Sequence, residues 1–234
     1  MNLSISRASA VWITLCGLVQ LLFAGSAQGG TALYPARSLA GGGGCRCVLL
    51  VHGIYCSGKR MQCLKRFLES RGWQVYVISL KPNDASVSFD VMAGQLDAFA
   101  NANIPSGEKF DIVAFSMGGL VSRYYIQKMG GYRRVRRFVT LSTPNHGTAW
   151  AWLSGRSGVK QMRPGSPMLQ DLNADVSKLA PLDYTSIYTP LDLSIIPATS
   201  SRMDIARNVV TWVPLHPFMI LMPSPLRAVE QALE

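Results

Sequence analysis

Histidine is scarce in this chain: 234 residues contain only His52, His146 and His216. That scarcity argues against a histidine-rich metal centre, and it leaves any chemistry needing a base near neutral pH just three places to find one. Charge is sparse too, at 15% of residues against 48% apolar ones, which excludes a disordered composition and suffices for one substantial core. No internal repeat is present, so solenoids and arrays are excluded. No spacing of carboxylates suggests a calcium cage, and no cofactor is expected.

Acidic residues are the minority among the charges, 13 against 23 basic, giving a formal net charge of +10. Such a field favours anionic surfaces, phospholipid or lipopolysaccharide layers among them, and gives no reason to expect a specific nucleic-acid partner. The densest basic cluster, Arg133, Arg134, Arg136 and Arg137, directly precedes an apolar run and reads as a solvated face at a strand's N-terminal end. Long apolar runs are also missing. The longest, Ala10 to Phe23, follows Arg7, contains Gln20 and ends before Gly25-Ser26-Ala27, so residues 1–27 read as an export signal. An uncleaved anchor is the weaker alternative, because a spanning helix needs roughly 17–25 residues. Secretion or a periplasmic location is the corresponding expectation.

Four cysteines follow the leader, Cys45, Cys47, Cys56 and Cys63. Export implies an oxidising compartment, so a bridge is expected, with Cys56 to Cys63 the preferred pairing and zinc binding the weaker reading. Residues 28–44 are rich in Gly, Ala and Ser and form a flexible lead-in; residues 45–234 are one catalytic domain. Its oligomeric state is not read from the sequence.

Strand and helix patterns alternate from there. Cys47 to Val51 is a short continuous apolar run suited to a strand buried on both faces. Met61, Leu64, Phe67 and Leu68 mark a helical face ending before Gly72. The pattern predicts a strand over 73–80, a helix over 88–100, a strand over 110–115, a helix over 117–129, and strands over 138–141, 185–188 and 208–213. A terminal helix is expected to open at Ser224-Pro225. This order predicts an α/β fold with a mostly parallel sheet covered by helices. Residues 142–184 are a longer insert with one or two short helices that shape the pocket.

Ala114-Phe115-Ser116-Met117-Gly118 lies between a strand and a helix, the context of a nucleophile elbow. Only small residues fit two positions before and two after the serine, and Ala114 and Gly118 are small. Ser116 is therefore the expected nucleophile. Its oxyanion would need backbone donors, expected at the N–H of Met117 and, from the loop after the first strand, at Ile54 beyond His52-Gly53. A serine hydroxyl also needs a base. His216 is the expected one, since it alone follows a plausible acid in the order Ser, Asp, His; His146 is the rival. Asp192, just past the 185–188 strand, is the expected acid, with Asp204 as runner-up.

These motifs, together with Tyr184-Thr185-Ser186-Ile187-Tyr188 and Ala206-Arg207-Asn208-Val209, resemble the small bacterial triacylglycerol lipases and carboxylesterases, including the alanine in the elbow. The resemblance runs from about Cys47 to the C-terminus. It implies the α/β-hydrolase fold, hydrolysis of carboxylic esters, Ser116, Asp192 and His216 as the triad, and Ile54 and Met117 as oxyanion donors. His52, Gly53, Trp150, Trp152, Phe218 and Met219 are then candidates for contact with a lipid or other ester substrate, core packing being the plainer alternative for the apolar ones. Acyl transfer by the same triad, and a non-catalytic lipid-binding envelope protein, are the competing readings.

Overall fold

A computed structural model of the chain describes residues Arg46–Glu234. The export signal, the lead-in and Cys45 lie outside the described residues. Six strands form a single sheet: β1 (Cys47–Val51), β2 (Gln74–Ile78), β3 (Phe110–Phe115), β4 (Val135–Leu141), β5 (Asp183–Tyr188) and β6 (Arg207–Val210). All pair in parallel, in the order β2-β1-β3-β4-β5-β6.

Parallel neighbours require crossovers, and the crossovers here are helical. They include α1 (Gln62–Glu69), α2 (Phe89–Asn103) and α3 (Met117–Lys128), and the short α4 (Ser157–Gln161) and α5 (Pro167–Ala174) between β4 and β5; the terminal α6 (Pro223–Leu233) follows the last strand. Every residue of β1 and β3 is buried, as a strand covered on both faces demands, while edge strand β6 has none buried. The expected alternation is the one found. In α2, Phe89, Met92, Leu96 and Ala100 recur on one face and are buried in the main core.

Four expectations need correction. Strand β4 begins at Val135, before the predicted start at Phe138, so Arg136 and Arg137 lie within the sheet and not on a solvated face. The cause is Asp111, a fully buried carboxylate in β3. It accepts from Arg136 Nε at 3.0 Å, Arg136 Nη2 at 2.7 Å and the Arg137 backbone N–H at 3.1 Å. The pairing register shifts there, between Phe110 and Ile112. Strand β6 stops at Val210 because the chain turns back, Val213 N–H bonding to Thr211 O at 3.1 Å. The terminal helix opens two residues earlier than expected, with Met222 in place of Ser224 as N-cap and Pro223 in place of Pro225 as first residue. Extended Met222 precedes it, as the residue before a proline prefers.

The fourth correction concerns the cysteines. Cys56 and Cys63 are not joined to each other. A 3-10 turn, Gly58–Met61, runs straight into α1, and the exposed Cys63 thiol lies 3.9 Å from Leu221 O. What holds the loop after β1 is hydrogen bonding: Tyr55 N–H donates to Asn83 O at 2.7 Å, and Asn83 Nδ2 to Cys56 O at 2.8 Å.

The Asp111 pair gives a stability test. Arg136→Ala leaves the buried carboxylate with the Arg137 N–H and with the Arg137 guanidinium, Nη1 3.5 Å from Oδ2, so the loss should be about 2 kcal/mol, below the roughly 3–5 kcal/mol of a buried charge left with no partner. Urea unfolding should show that loss with an unchanged m-value, and a loss below about 1 kcal/mol would mean that water takes over the role of Arg136.

Candidate active site

In this strand order the chain reverses direction across the sheet at β1 and β3, and the carboxyl ends of those strands form the crevice where α/β sheets hold ligands. Val51 pairs with Ala114 at the ends of the two strands. His52-Gly53-Ile54 and Phe115-Ser116-Met117 therefore leave the sheet side by side. Ser116 has φ 55° and ψ −126°, a left-handed conformation unusual for a residue with a side chain, held because β3 turns into α3 without a spacer. Its N–H bonds to Leu141 O at 2.8 Å and its carbonyl accepts the Gly119 N–H at 3.0 Å.

Close packing enforces the small residues. A Cβ on Gly118 would lie 2.5 Å from His52 O and 2.8 Å from Val51 O, inside any tolerated contact. A Cβ on Gly53 would lie 2.9 Å from the Ser116 Cβ, so the backbone leading to Ile54 runs against the nucleophile candidate. Ile54 is half-buried and Met117 fully buried, at the first residue of α3.

His52 does not face the crevice. It is fully buried, Nε2 accepts the Leu80 N–H at 2.9 Å, and Nδ1 lies 2.8 Å from Gly53 O. Burial lowers its pKa and the Gly53 carbonyl opposes that, so the ring is a neutral strut between the loop after β1 and the end of the β2 segment. Its expected place among the substrate contacts is corrected accordingly. Met219 is likewise fully buried, its sulfur 3.6 Å from Thr211 Oγ1, and belongs to the core. Phe218 is half-buried. Trp150 and Trp152 are exposed.

Asp192 and His216, separated by 24 residues in the chain, meet: Nδ1 and Oδ2 are 2.7 Å apart. Both are nearly buried. Asp192 lies in the turn after β5, and its other oxygen accepts the N–H groups of Ser194 and Ile195 at 2.8 and 3.0 Å. Burial pushes its carboxyl upward, but the His216 imidazole, through charge and hydrogen bond, and the Ser194 N–H outweigh that and hold it below the ordinary range. His216 opens a 3-10 turn, and its ring lies 4.7 Å from that of Phe115, the residue before Ser116. The imidazole thus sits against the elbow. His146 is exposed and its Nδ1 is 3.4 Å from Asn173 Nδ2; Asp204 is exposed. Neither rival belongs to the Asp192–His216 pair.

Three supporting residues carry no signal in the local sequence. Thr189 Oγ1 donates to Val213 O at 2.7 Å and accepts from Leu191 N–H and Val213 N–H at 3.2 and 3.3 Å, so one hydroxyl ties the turn of Asp192 to the segment leading to His216. Thr143 Oγ1 donates to Ser116 O at 3.0 Å, and its side chain occupies the space that a Cβ on Gly119 would need. Arg123, fully buried on α3, donates to Gln127 Oε1, Asn145 O and Oδ1, Leu172 O and Asn173 Oδ1, all neutral. Burial lowers its pKa to about 10, which leaves it cationic at neutral pH.

A six-stranded parallel sheet with a serine elbow after its third strand and an Asp–His pair after its fifth and sixth defines the class as the α/β-hydrolase fold. Solved structures agree on that fold. Bacillus licheniformis lipase BlEst2 in its mature form superimposes with a TM-score of 0.65 over 88% of this chain and 96% of that one, at 17% identity. Aspergillus fumigatus lipase B gives 0.69 over 81% and 52%, at 15% identity. Paleococcus ferrophilus monoacylglycerol lipase gives 0.61 over 80% and 93%, at 16% identity.

Within the class, residues 47–185 match the palmitoyl protein thioesterase family, and the chain belongs to that family. Palmitoyl-protein thioesterase 3 of Dictyostelium discoideum is 25% identical over 107 residues, 44% of this chain and 37% of that protein, so the match spans little more than a third of the relative.

The depressed Asp192 carboxyl has a pH consequence. Its folded pKa lies below the unfolded reference of 3.8, so the ionised group favours the native state above about pH 4, and the contribution is lost as pH falls through the folded value. Acid unfolding followed by circular dichroism should therefore lose part of its pH dependence below pH 4 in Asp192→Asn. An unaltered acid limb would mean that the carboxyl titrates alike in both states.

Proposed function

We propose that this chain hydrolyses acyl esters through a covalent acyl-enzyme, with Ser116 as nucleophile, His216 as base and Asp192 as the acid that orients the base. The reading rests on one observation above all, the 2.7 Å Asp192–His216 pair packed against the ring of Phe115 beside the strained Ser116 elbow.

The chemistry follows from these positions. His216 Nε2 takes the proton of the Ser116 hydroxyl as Oγ bonds to the carbonyl carbon, and the carbonyl π electrons move to oxygen. The resulting oxyanion is met by the N–H groups of Ile54 and Met117, the latter helped by the positive end of the α3 dipole. Asp192 keeps its negative charge opposite the imidazolium and holds the tautomer whose Nε2 is free to accept. When the tetrahedral intermediate collapses, the bond to the leaving group breaks and His216 returns the proton to it. Water, deprotonated by the same imidazole, then attacks the acyl carbon, releasing the carboxylic acid and Ser116.

The family match favours an acyl thioester as the bond cleaved, while the lipases and esterases that share the fold act on oxygen esters. Fatty acyl esters of either kind, triacylglycerol among them, are the substrate class proposed. Export to the periplasm or medium belongs to the same proposal, supported by the leader-like residues 1–27.

A fluorophosphonate serine probe should label the wild type and leave Ser116→Ala unlabelled. Turnover of p-nitrophenyl esters and of S-palmitoyl peptides should fall about 10⁴-fold or more in Ser116→Ala and His216→Ala, and about 10⁴-fold in Asp192→Asn. His146→Ala and Asp204→Asn should change it little. An unlabelled, folded wild type would leave lipid binding without catalysis as the function, a greater loss at His146 or Asp204 would reassign the base or acid, and acyl transfer to an added alcohol exceeding hydrolysis would make the protein a transferase.

A further inference from the structure

The carboxyl end of the sheet carries, beside the Asp–His pair, an apolar rim that this chemistry does not use. Two turns build it. The 3-10 turn Ala149–Leu153 exposes Trp150, Trp152 and Leu153, and the turn after β5 exposes Leu191 and Leu193 on either side of buried Asp192. The turns are one unit: Trp150 Nε1 donates to Leu193 O at 2.6 Å, Ala149 N–H to Ile196 O at 2.9 Å, and Thr148 Oγ1 to Ser194 O at 3.1 Å. Trp212 joins them at the carboxyl end of β6, its neighbour Val213 bonded to the same Thr189 hydroxyl that bonds Leu191. Trp152, Leu193 and Trp212 are 60%, 63% and 72% exposed. Grouped large apolar side chains held out in water mark an interaction surface.

Charge around this rim is predominantly basic, although Arg156 pairs with Asp84 at 3.3 Å and exposed Asp204 stands two residues after Arg202. Residues 149–165 contain Arg156, Lys160 and Arg163 and no acidic residue; residues 190–202 contain Arg202 and, as their single acid, buried Asp192. The Arg163 guanidinium lies over the Trp152 ring, 4.7 Å from its centroid. Tryptophan and leucine projecting beneath a belt of arginine and lysine match a phospholipid interface, where indoles sit at headgroup level and cations meet phosphates.

We propose that the rim formed by Trp150, Trp152, Leu153, Leu191, Leu193 and Trp212 docks the protein on an anionic phospholipid surface. The inference deepens the acyl-ester reading, because docking there turns the carboxyl end of the sheet, with Ser116 and the Asp192–His216 pair, toward chains leaving the bilayer. Docking itself needs no catalysis.

The test uses purified full-length Ser116→Ala protein and sedimentation with vesicles of phosphatidylcholine alone or mixed equally with phosphatidylglycerol. Binding is expected on the mixed vesicles and not on phosphatidylcholine alone, and it should weaken in high salt. Leu193→Ser and Trp212→Ser should each weaken it about tenfold, the scale of withdrawing one large apolar side chain from water. The double change Lys160→Glu with Arg202→Glu should weaken it about 30-fold or more, since each basic residue lost near an anionic surface counts and each new carboxylate repels it. Turnover of a soluble acetate ester by the same variants carrying Ser116 verifies their fold. Absence of binding, or binding that the apolar changes leave intact, overturns the proposal. So does a dimer in sedimentation velocity that those changes dissolve, which would give the rim to a second copy. Loss of vesicle binding with full ester turnover condemns the rim alone, and retained binding without turnover in the Ser116 protein condemns the catalytic reading alone.

Discussion

The structure depends on how closely the start of α3 passes the end of β1. With Gly118 lying where any Cβ would meet the carbonyls of Val51 and His52, the chain has no room for a spacer between β3 and the helix, and Ser116 must take the left-handed conformation that completes the turn. Backbone contact at this point fixes three things at once. It raises the serine above the sheet, brings the loop carrying Ile54 beside it, and places the start of α3 next to that loop. The energetic cost of one strained residue is carried by the buried strands on either side, whose parallel hydrogen bonds and apolar faces leave the turn no alternative path.

Charge is managed in two contrasting ways behind this arrangement. Asp111 is neutralised across the sheet by Arg136 and the neighbouring backbone, a paired solution. Arg123, buried with neutral oxygens around it, spreads its charge over side-chain amides and carbonyls from α3, the loop after β4 and α5. That fan of bonds joins the helix that follows Ser116 to the insert between β4 and β5, and it trades ion-pair energy for a connection among three separate segments. At the site itself, Asp192 accepts two backbone N–H groups besides its bond to His216, so it remains a carboxylate in a nearly dry environment.

A single threonine coordinates the two turns that carry Asp192 and His216. The Thr189 hydroxyl bonds to residues on both sides of the gap between β5 and β6, so Asp192 and His216 are held in register by backbone contacts and not by their mutual bond alone. The same turns display Leu191, Leu193 and Trp212 outward, which joins the orientation of the Asp192–His216 pair to the apolar rim on one small scaffold.

The sequence by itself determined the alternation of strand and helix, the parallel sheet and the site's candidates, because each is written in local terms. Continuous apolar runs mark strands buried on both faces, the spacing of Phe89, Met92 and Leu96 marks a helix, and small residues flanking Ser116 mark a turn with no room. Tertiary structure decided what depends on partners distant in the chain. Where β4 begins follows from Asp111, which lies in another strand, and which face His52 presents follows from Leu80, 28 residues away. Cys56 and Cys63 are near in sequence yet not bridged, since the helix that starts between them turns one thiol toward Leu221. The roles of Thr189 and Arg123 are invisible locally for the same reason: a hydroxyl or guanidinium acquires its function from the groups that packing brings to it, and no periodicity encodes those groups.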